Sequence, residues 1–371
     1  MSIRIIEIAD IEIRINYSWF VIFTLMTWSI AVNYLPTQYP KQSGAFYWGI
    51  GAVAAASLFL SVLVHELAHS FIAERNEIDI HSITLHFFGG VSETKEEAKT
   101  PETELKMASA GPLSSLLIGV SLLGIWLVFN PVVPLPINAL LRYVSYVNIA
   151  LSIFNSIPAF PMDGGRILRA LIWMRSNDLL YSTKLATKAS QVIGYGIMVF
   201  GLVSTIFGSP INGIWLLVIS FFIQNSAKAS LNETMISQAL SGMKVEEIMT
   251  REVHTVEPDI TLHELIENHF SQYKHRGFPV VAGDELVGIV TDQDVREVSK
   301  ENRNKVRVKE VMNPANNLVT TRPDEEAADA LTKMSKNDIG RMPVMQNNKL
   351  VGIVTRSDFT KTIKFKLQFK S

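Results

Sequence analysis

The sequence contains no cysteine among its 371 residues. This absence excludes a disulfide-stapled fold, a thiolate zinc site, an iron–sulfur cluster and a cysteine nucleophile. Any metal ion that the protein holds must therefore be bound by histidine and carboxylate side chains. Charge is scarce as well, since only 19% of the residues are charged and the formal net charge is −1. The composition thus gives no reason to expect a nucleic-acid partner.

The few charged residues are distributed unevenly along the chain. Residues 17–73 and 105–160 contain two each, and residues 192–226 contain none. Such segments are long enough to cross a bilayer, whose core takes about 20 apolar residues per helix. We predict six spans, at residues 18–36, 47–72, 107–129, 138–157, 192–208 and 211–226. The expected fold is a polytopic α-helical membrane domain followed by a soluble region.

Basic residues are concentrated on one side of the predicted bundle. The loops on the side of both termini contain 12 lysine and arginine residues, against Lys41 and Arg142 on the other side. Because basic loops remain in the cytoplasm, we expect a multi-pass protein of the plasma membrane with both termini cytoplasmic. Residues 11–15 and 78–91 are rich in β-branched residues and predict a small juxtamembrane sheet. The second segment fits either a hairpin or an edge strand that receives an extended peptide.

The soluble region is an internal duplication. The sequence VEEIM at 245–249 returns as VKEVM at 308–312, and LVGIVTDQD at 286–294 returns as LVGIVTRSD at 350–358. Each copy is predicted to form a strand, a helix, two strands and a helix. The expected division is a membrane domain at 1–226, a linker at 227–240 and repeats at 241–301 and 302–371.

The second predicted span contains His65-Glu66-Leu67-Ala68-His69, which is an H-E-x-x-H sequence. Residues four apart share one face of a helix, so both imidazoles can bind one metal ion and Glu66 can act beside it as a general base. Ionisable residues inside a bilayer are costly, and they indicate a functional site. The alternatives are a polar contact between helices and an ion path.

A third metal ligand is needed, because catalytic zinc usually has three protein ligands and one open position. Asp163 is the best-placed candidate, because it follows the fourth predicted span at the same cytoplasmic edge as the histidines. Taken alone, Asp163-Gly164-Gly165 indicates only a turn.

The His65–His69 motif and the segment Asn155…Asp163-Gly164-Gly165 together resemble the two signatures of the site-2 protease family of intramembrane zinc metalloproteases. The resemblance covers residues 1–226. It implies substrates that are transmembrane proteins, cleaved within or near their transmembrane segments. Many family members carry a PDZ domain, which this sequence replaces with the duplicated region.

The resemblance also implies roles for individual residues. His65, His69 and Asp163 would bind one zinc ion per chain. Glu66 would be the catalytic base, and Asn155 would lie in the active site and bind the substrate or the developing oxyanion. The dipeptides Gly89-Gly90 and Gly111-Pro112 also resemble family features, more weakly.

Each copy of the duplication contains Gly-Ile-Val-Thr-x-x-Asp and resembles a CBS domain, here in a tandem pair. The resemblance implies an α/β fold and a regulatory adenine nucleotide, ATP or AMP. The positions that match its nucleotide contacts are Thr291, Asp294, Thr355 and Asp358, with Arg276, Arg341 and Arg356 as further phosphate contacts. The alternative is that threonine and aspartate only cap helices and that the pair forms a homodimer.

Two other functions fit part of the sequence. An ion transporter or channel with a CBS pair would share the spans and the intramembrane histidines, but it needs no glutamate between them. A catalytically silent receptor of the same fold would share the helices, whereas every expected catalytic position is filled here. We therefore expect a zinc metalloendopeptidase that acts on transmembrane protein substrates in a lipid bilayer, without a nucleic-acid partner.

Overall fold

The computed structural model describes residues 2–86, 89–94, 98–273 and 275–369. Phe88, within the second predicted strand segment, and Lys95, one of the basic loop residues, lie outside these ranges. The chain divides into two compact units, Met1–Thr234 and Met235–Ser371.

Long apolar helices make up most of the first unit. They are α1 (Tyr17–Gln38, with a π-helical turn at Ile30–Tyr34), α2 (Gly44–Glu74), α3 (Pro101–Phe129), α4 (Leu135–Asn155), α5 (Asp163–Ser176), α6 (Leu179–Phe207) and α7 (Pro210–Leu240). All except α5 are long and apolar enough to cross a membrane. The polytopic helical domain and its six spans are therefore confirmed.

The last two spans are the apolar parts of longer helices. Helix α6 begins at Leu179, where the side chain of Asp178 accepts a hydrogen bond from the backbone N–H of Tyr181. Helix α7 continues to Leu240, so the predicted linker at 227–240 is helical. The predicted spans at 192–208 and 211–226 stop earlier because they follow the absence of charge, whereas polar residues continue both helices.

A four-stranded sheet lies against the end of α2. Its strands are β1 (Ser2–Ile8), β2 (Ile11–Asn16), β3 (Ile80–His86) and β4 (Gly89–Thr94), in the order β1-β2-β3-β4. Strands β2 and β3 are parallel, and the other neighbours are antiparallel. The buried face places Ile13 and Ile83 against Leu67. Strands β3 and β4 thus pair antiparallel, β3 has neighbours on both sides and β4 is an edge strand.

The second unit contains two similar α/β repeats. Its strands are β5 (Gly277–Ala282), β6 (Glu285–Thr291), β7 (Asn313–Pro314), β8 (Arg341–Gln346) and β9 (Lys349–Thr355). Its helices are Val245–Ile248, Leu262–Leu265 with Ile266–Phe270 and Ser271–Tyr273, Asp292–Glu297, Lys300–Asn302, Val308–Val311, Ala315–Asn317, Ala327–Lys336 and Arg356–Phe369. The first strand predicted in each copy is reduced to single bridges, Val256 to Val280 and Thr321 to Val344.

The two repeats exchange their first residues. Val245 and Ile248 open the first sequence copy, yet they pack in the core of the second copy with Met342 and Phe359. Val308 opens the second copy and packs in the core of the first with Phe278 and others. The structural cores are therefore offset from the sequence repeats, because each opening helix packs on the neighbouring copy.

Candidate active site

Three predicted metal ligands meet beside α2. His65 and His69 are 4% and 9% exposed, and their Nε2 atoms lie 3.2 Å apart. Oδ2 of Asp163 lies 3.1 Å from Nε2 of His65 and 3.2 Å from Nε2 of His69. Within the described residues, this is the one group of three or more histidine and carboxylate side chains close enough to hold a metal ion.

The donor atoms fit zinc. Atoms about 2.1 Å from a tetrahedral zinc ion lie about 3.4 Å from one another, close to the observed separations. Nδ1 of His69 donates a hydrogen bond of 2.7 Å to the carbonyl oxygen of Met107, which leaves the lone pair of Nε2 facing Asp163. Nδ1 of His65 lies 3.0 Å from Oγ of Ser115. Partners of this kind orient metal-binding imidazoles, and two nitrogens with one carboxylate oxygen suit zinc.

Helix α3 approaches these rings through a glycine. A β-carbon at Gly111 would lie 2.2 Å from Nε2 of His69 and 2.6 Å from Nε2 of His65. No side chain fits at this position without moving the histidines. The Gly111-Pro112 pair noted in the sequence therefore lies where α3 passes the two imidazoles without room for a side chain.

Glu66 follows the first histidine and lines a cavity of about 380 Å³ together with His69 and Asp163. A β-carbon at Gly90 would lie 2.5 Å from Cγ of Glu66, so the backbone of β4 passes directly over the glutamate. The predicted base thus lies between the metal ligands and the edge strand of the sheet.

Asp163 is the first residue of α5. A β-carbon at Gly164 would lie 2.3 Å from the carbonyl oxygen of Ile157, and one at Gly165 would lie 2.6 Å from the backbone of Ala159. The two glycines let the helix start against the preceding loop, which directs the carboxylate toward the histidines. Asp-Gly-Gly therefore begins a helix here, and the interpretation as a simple turn is wrong.

Asn155 is placed differently from the other predicted site residues. It is the last residue of α4, and its Nδ2 donates a hydrogen bond of 3.1 Å to the carbonyl oxygen of Leu151. Asn155 is not among the residues that line the cavity around Glu66. Asn155 therefore stays a predicted site residue, and its described hydrogen bond joins it to its own helix.

Sequence reasoning missed several residues around this site. The carbonyl of Met107 and the hydroxyl of Ser115 orient the histidines, and a buried ion pair joins Glu104 to Arg169. Nothing in the sequence pairs residues so far apart. The available signal was local: a glutamate and an arginine close to the apolar run and to the Asp-Gly-Gly segment.

The predicted nucleotide positions form the same arrangement in both repeats. Oδ2 of Asp294 accepts hydrogen bonds from the backbone N–H and the hydroxyl of Thr291, each at 2.7 Å. Oδ2 of Asp358 accepts the equivalent bonds from Thr355, at 2.9 and 2.7 Å. Each pair caps a helix, which leaves the second carboxylate oxygen outside these bonds.

Of the three arginines predicted as further phosphate contacts, Arg276 and Arg341 lie near each other. The guanidinium of Arg341 packs on Gly277, where a β-carbon would lie 2.1 Å from its Nη1. Burial and the neighbouring charge of Arg276 lower the pKa of Arg341. Arg356 instead forms an exposed ion pair of 2.9 Å with Asp338. Arg341 is thus within electrostatic reach of Arg276, Asp292 and Asp294.

Comparison with known protein families follows the same division of the chain. The model of peptidase family M50 matches residues 53–138 and 128–201. The CBS domain model matches residues 245–301 and 308–364, one match for each repeat.

Similar proteins extend over nearly the whole chain. Rip3 of Mycobacterium tuberculosis, assigned to the zinc metalloproteases, is 31% identical over 360 residues, or 96% of this chain and 91% of Rip3. The zinc metalloprotease MJ0392 of Methanocaldococcus jannaschii is 30% identical over 364 residues, or 98% of this chain and 96% of that protein. A solved site-2 protease structure from the same archaeon is 33% identical, with a TM-score of 0.43, over 62% of this chain and 94% of that one.

Proposed function

This chain belongs to peptidase family M50 and is a multi-pass zinc metalloprotease with a tandem CBS pair, and from that premise we propose that it cleaves peptide bonds within or near the transmembrane segments of other membrane proteins. The observation that carries the proposal is the convergence of His65, His69 and Asp163 beside Glu66. The histidines and Glu66 lie on α2, which is long and apolar enough to cross a membrane, and Asp163 begins the shorter helix α5. A buried group of this kind in a bilayer indicates a functional site.

The proposed chemistry assigns a proton transfer to Glu66. His65, His69 and Asp163 would hold zinc, which would supply a Lewis acid and a water whose pKa is lowered toward neutrality. The Glu66 carboxylate lines the cavity beside these ligands, where it can take the proton of the attacking water and return it to the leaving amine. Ser115 and the Met107 carbonyl hold the imidazole rings in place during both transfers.

Access to the peptide bond requires local unwinding of the substrate. A helix in lipid keeps its carbonyl groups in hydrogen bonds, so an intact transmembrane helix presents no reactive carbonyl. Strand β4 is the edge of its sheet and passes against Glu66, which places it to pair with an extended segment by β-addition. Serine residues in the cavity wall, Ser70, Ser226 and Ser230, suit the polar backbone of such a segment.

The proposed orientation places both termini in the cytoplasm of a plasma-membrane protein. The support is the excess of lysine and arginine in the loops on that side. Because the protein has no cysteine, single substitutions Ser2→Cys and Gln42→Cys can be labelled with an impermeant thiol reagent on intact cells. Labelling of Gln42→Cys alone would support the orientation, and labelling of Ser2→Cys alone would contradict it.

Proteolysis is tested with the full chain reconstituted in vesicles together with a single-pass membrane protein. The wild type is compared with Glu66→Gln and with the matched control Glu74→Gln, an exposed glutamate at the end of the same helix. We expect the wild type and Glu74→Gln to release fragments whose ends, determined by mass spectrometry, lie in or beside the transmembrane segment. Equal cleavage by Glu66→Gln would contradict the assigned base, and fragment ends confined to soluble regions would contradict the substrate class.

We further propose that the CBS pair binds an adenine nucleotide, ATP or AMP, which regulates cleavage. Support comes from the repeated threonine–aspartate arrangement and from two arginines, Arg276 and Arg341, near Asp294. Asparagine in place of Asp294 or Asp358 keeps an oxygen for the capping bonds but loses the charge. Calorimetry on the full chain should detect ATP or AMP, with weaker binding by the asparagine variants.

The competing role for the pair is formation of a homodimer alone. It predicts no heat of binding with either nucleotide and cleavage rates that do not change with nucleotide. Sedimentation of the detergent-solubilised chain with and without ATP separates the two roles. The dimer-only role predicts a dimer whose sedimentation is the same with and without ATP, together with no heat of binding.

A further inference from the structure

A buried ion pair lies beside the catalytic cavity. Glu104 is 1% exposed and Arg169 is 8% exposed. Nε of Arg169 donates a hydrogen bond of 2.7 Å to Oε1 of Glu104, and Nη2 donates to the same oxygen. In the described part of the chain Oε2 of Glu104 has no hydrogen-bond partner, and Nε of Arg166 lies 3.9 Å from Oε1. Arg169 therefore makes the hydrogen bonds that orient this carboxylate.

The glutamate end of the pair leads to His69. Glu104 lies in the first turn of α3, and Met107 follows one turn later on the same helix. The carbonyl oxygen of Met107 accepts the hydrogen bond from Nδ1 of His69. If the first turn of α3 moves with Glu104, the Met107 carbonyl that orients the His69 imidazole moves as well.

The arginine end leads to Asp163. Arg169 lies on α5, whose first residue is Asp163. Its guanidinium also lies over the ring of Phe160, 5.7 Å from the ring centroid, in the loop just before that helix. Arg169 thus contacts the loop that precedes the third proposed ligand and belongs to the helix that carries it.

We infer that the Glu104–Arg169 ion pair is a positioning pair that sets the distance between His69 and Asp163 in the metal site. The inference rests on the proposed zinc site. Arg169 lines the same cavity as Glu66, and the described hydrogen bonds of the pair join the two side chains to each other and not to the donor atoms of the metal ligands.

The cost of the pair supports a role in orientation. Burial of two charges removes their hydration, and apolar residues of similar size often join helices with equal or better stability. Two N–H donors of one guanidinium converge on a single oxygen of Glu104, and such charged hydrogen bonds have a defined geometry that an apolar contact lacks. Partners beyond the metal ligands typically change metal affinity by about 10-fold to 100-fold when removed.

The test compares single and double variants of the full chain. Glu104→Gln and Arg169→Gln each remove one charge of the buried pair, whereas the double variant removes both charges and retains an amide pair. Arg169→Lys keeps the charge but loses the forked donor geometry. The matched controls are Lys106→Gln on α3 and Arg175→Gln on α5, both exposed residues of the same two helices.

The readouts are zinc affinity, by competition with a chelator, and the visible absorption spectrum of the cobalt-substituted protein, both on the folded, monodisperse fraction. We expect each single variant and Arg169→Lys to bind zinc at least about 10-fold more weakly and to show a changed cobalt spectrum. The double variant should recover most of the affinity and the wild-type spectrum, and both controls should match the wild type. If a single variant fails to fold, Arg169→Lys and the double variant still decide the question.

The inference would be overturned if Arg169→Lys and all single and double variants that fold had the zinc affinity and the cobalt spectrum of the wild type. A purely structural pair would change only the amount of folded protein. In that case the wild type would still bind zinc and lose it in His65→Ala, and the proposed function would stand. A wild type that binds no zinc would overturn the proposed function and this inference together.

Discussion

The backbone of Gly111 lies so close to the ring of His69 that a β-carbon there would be 2.2 Å from Nε2. This contact places α3 directly against the metal-binding face of α2. The absence of a side chain at Gly111 is therefore part of the site, since it leaves the space in which the imidazoles and the carboxylate of Asp163 meet.

Substitution Gly111→Ala should remove zinc binding and cleavage together. The added methyl group overlaps both Nε2 atoms and forces the histidines or α3 to move. Gly124→Ala is the matched control, because Gly124 lies on the same helix and has nothing within 4 Å of its β-carbon position. The check is the zinc content and the cleavage rate of both purified variants. Full zinc occupancy in Gly111→Ala would contradict the geometry described here.

Substitution Gly90→Ala should separate metal binding from catalysis. A methyl group at this position meets Cγ of Glu66 but none of the three proposed ligands, so we expect zinc to remain and cleavage to fall by about 10²-fold to 10⁴-fold. Gly49→Ala, with open space around its β-carbon position on α2, serves as the control. Unchanged turnover in Gly90→Ala would show that β4 does not constrain the base.

Substitution Ser115→Ala, which removes the hydroxyl, should weaken zinc binding. Ser115 lies 3.0 Å from Nδ1 of His65, and removal of such a partner costs about 10-fold to 100-fold in metal affinity. Ser121→Ala, an exposed serine on the same helix, should leave the affinity unchanged. Chelator competition measures both values, and equal affinities in the two variants would count against an orienting role for Ser115.

Zinc removal should lower the thermal stability of the membrane unit. A ligand that binds only the folded state stabilises it by about 2.7 kcal/mol when present at 100 times its dissociation constant. We expect the melting temperature to fall after chelation and to recover when zinc is restored. His65→Ala should show no zinc-dependent shift, because one of three ligands is missing. A shift of equal size in His65→Ala would locate the stabilising zinc elsewhere.

The sequence predicts the spans and the grouping of His65 and His69 well, because both depend on local patterns. Apolar runs identify the membrane helices, and the spacing of His65 and His69 places them on one helical face. Asp163 was found by elimination, since no cysteine is present and few carboxylates lie at the correct edge of the membrane.

Features that depend on distant contacts were missed. Strand β1 carries no strong alternation, and its pairing with β2 depends on the turn between them. The Glu104–Arg169 pair joins residues that are 65 positions apart, and the exchange of opening helices between the CBS repeats follows from packing alone. Asn155 remains a predicted site residue, although its side chain bonds to its own helix.

The most direct test of the account is zinc X-ray absorption spectroscopy on the full chain, for the wild type and Glu66→Gln. We predict the same first shell in both, with two imidazole nitrogens and oxygen donors about 2.0–2.2 Å from zinc, while only the wild type cleaves a membrane substrate. A protein without zinc, or a zinc shell without two imidazoles, would contradict the assignment of His65, His69 and Asp163 as the metal site.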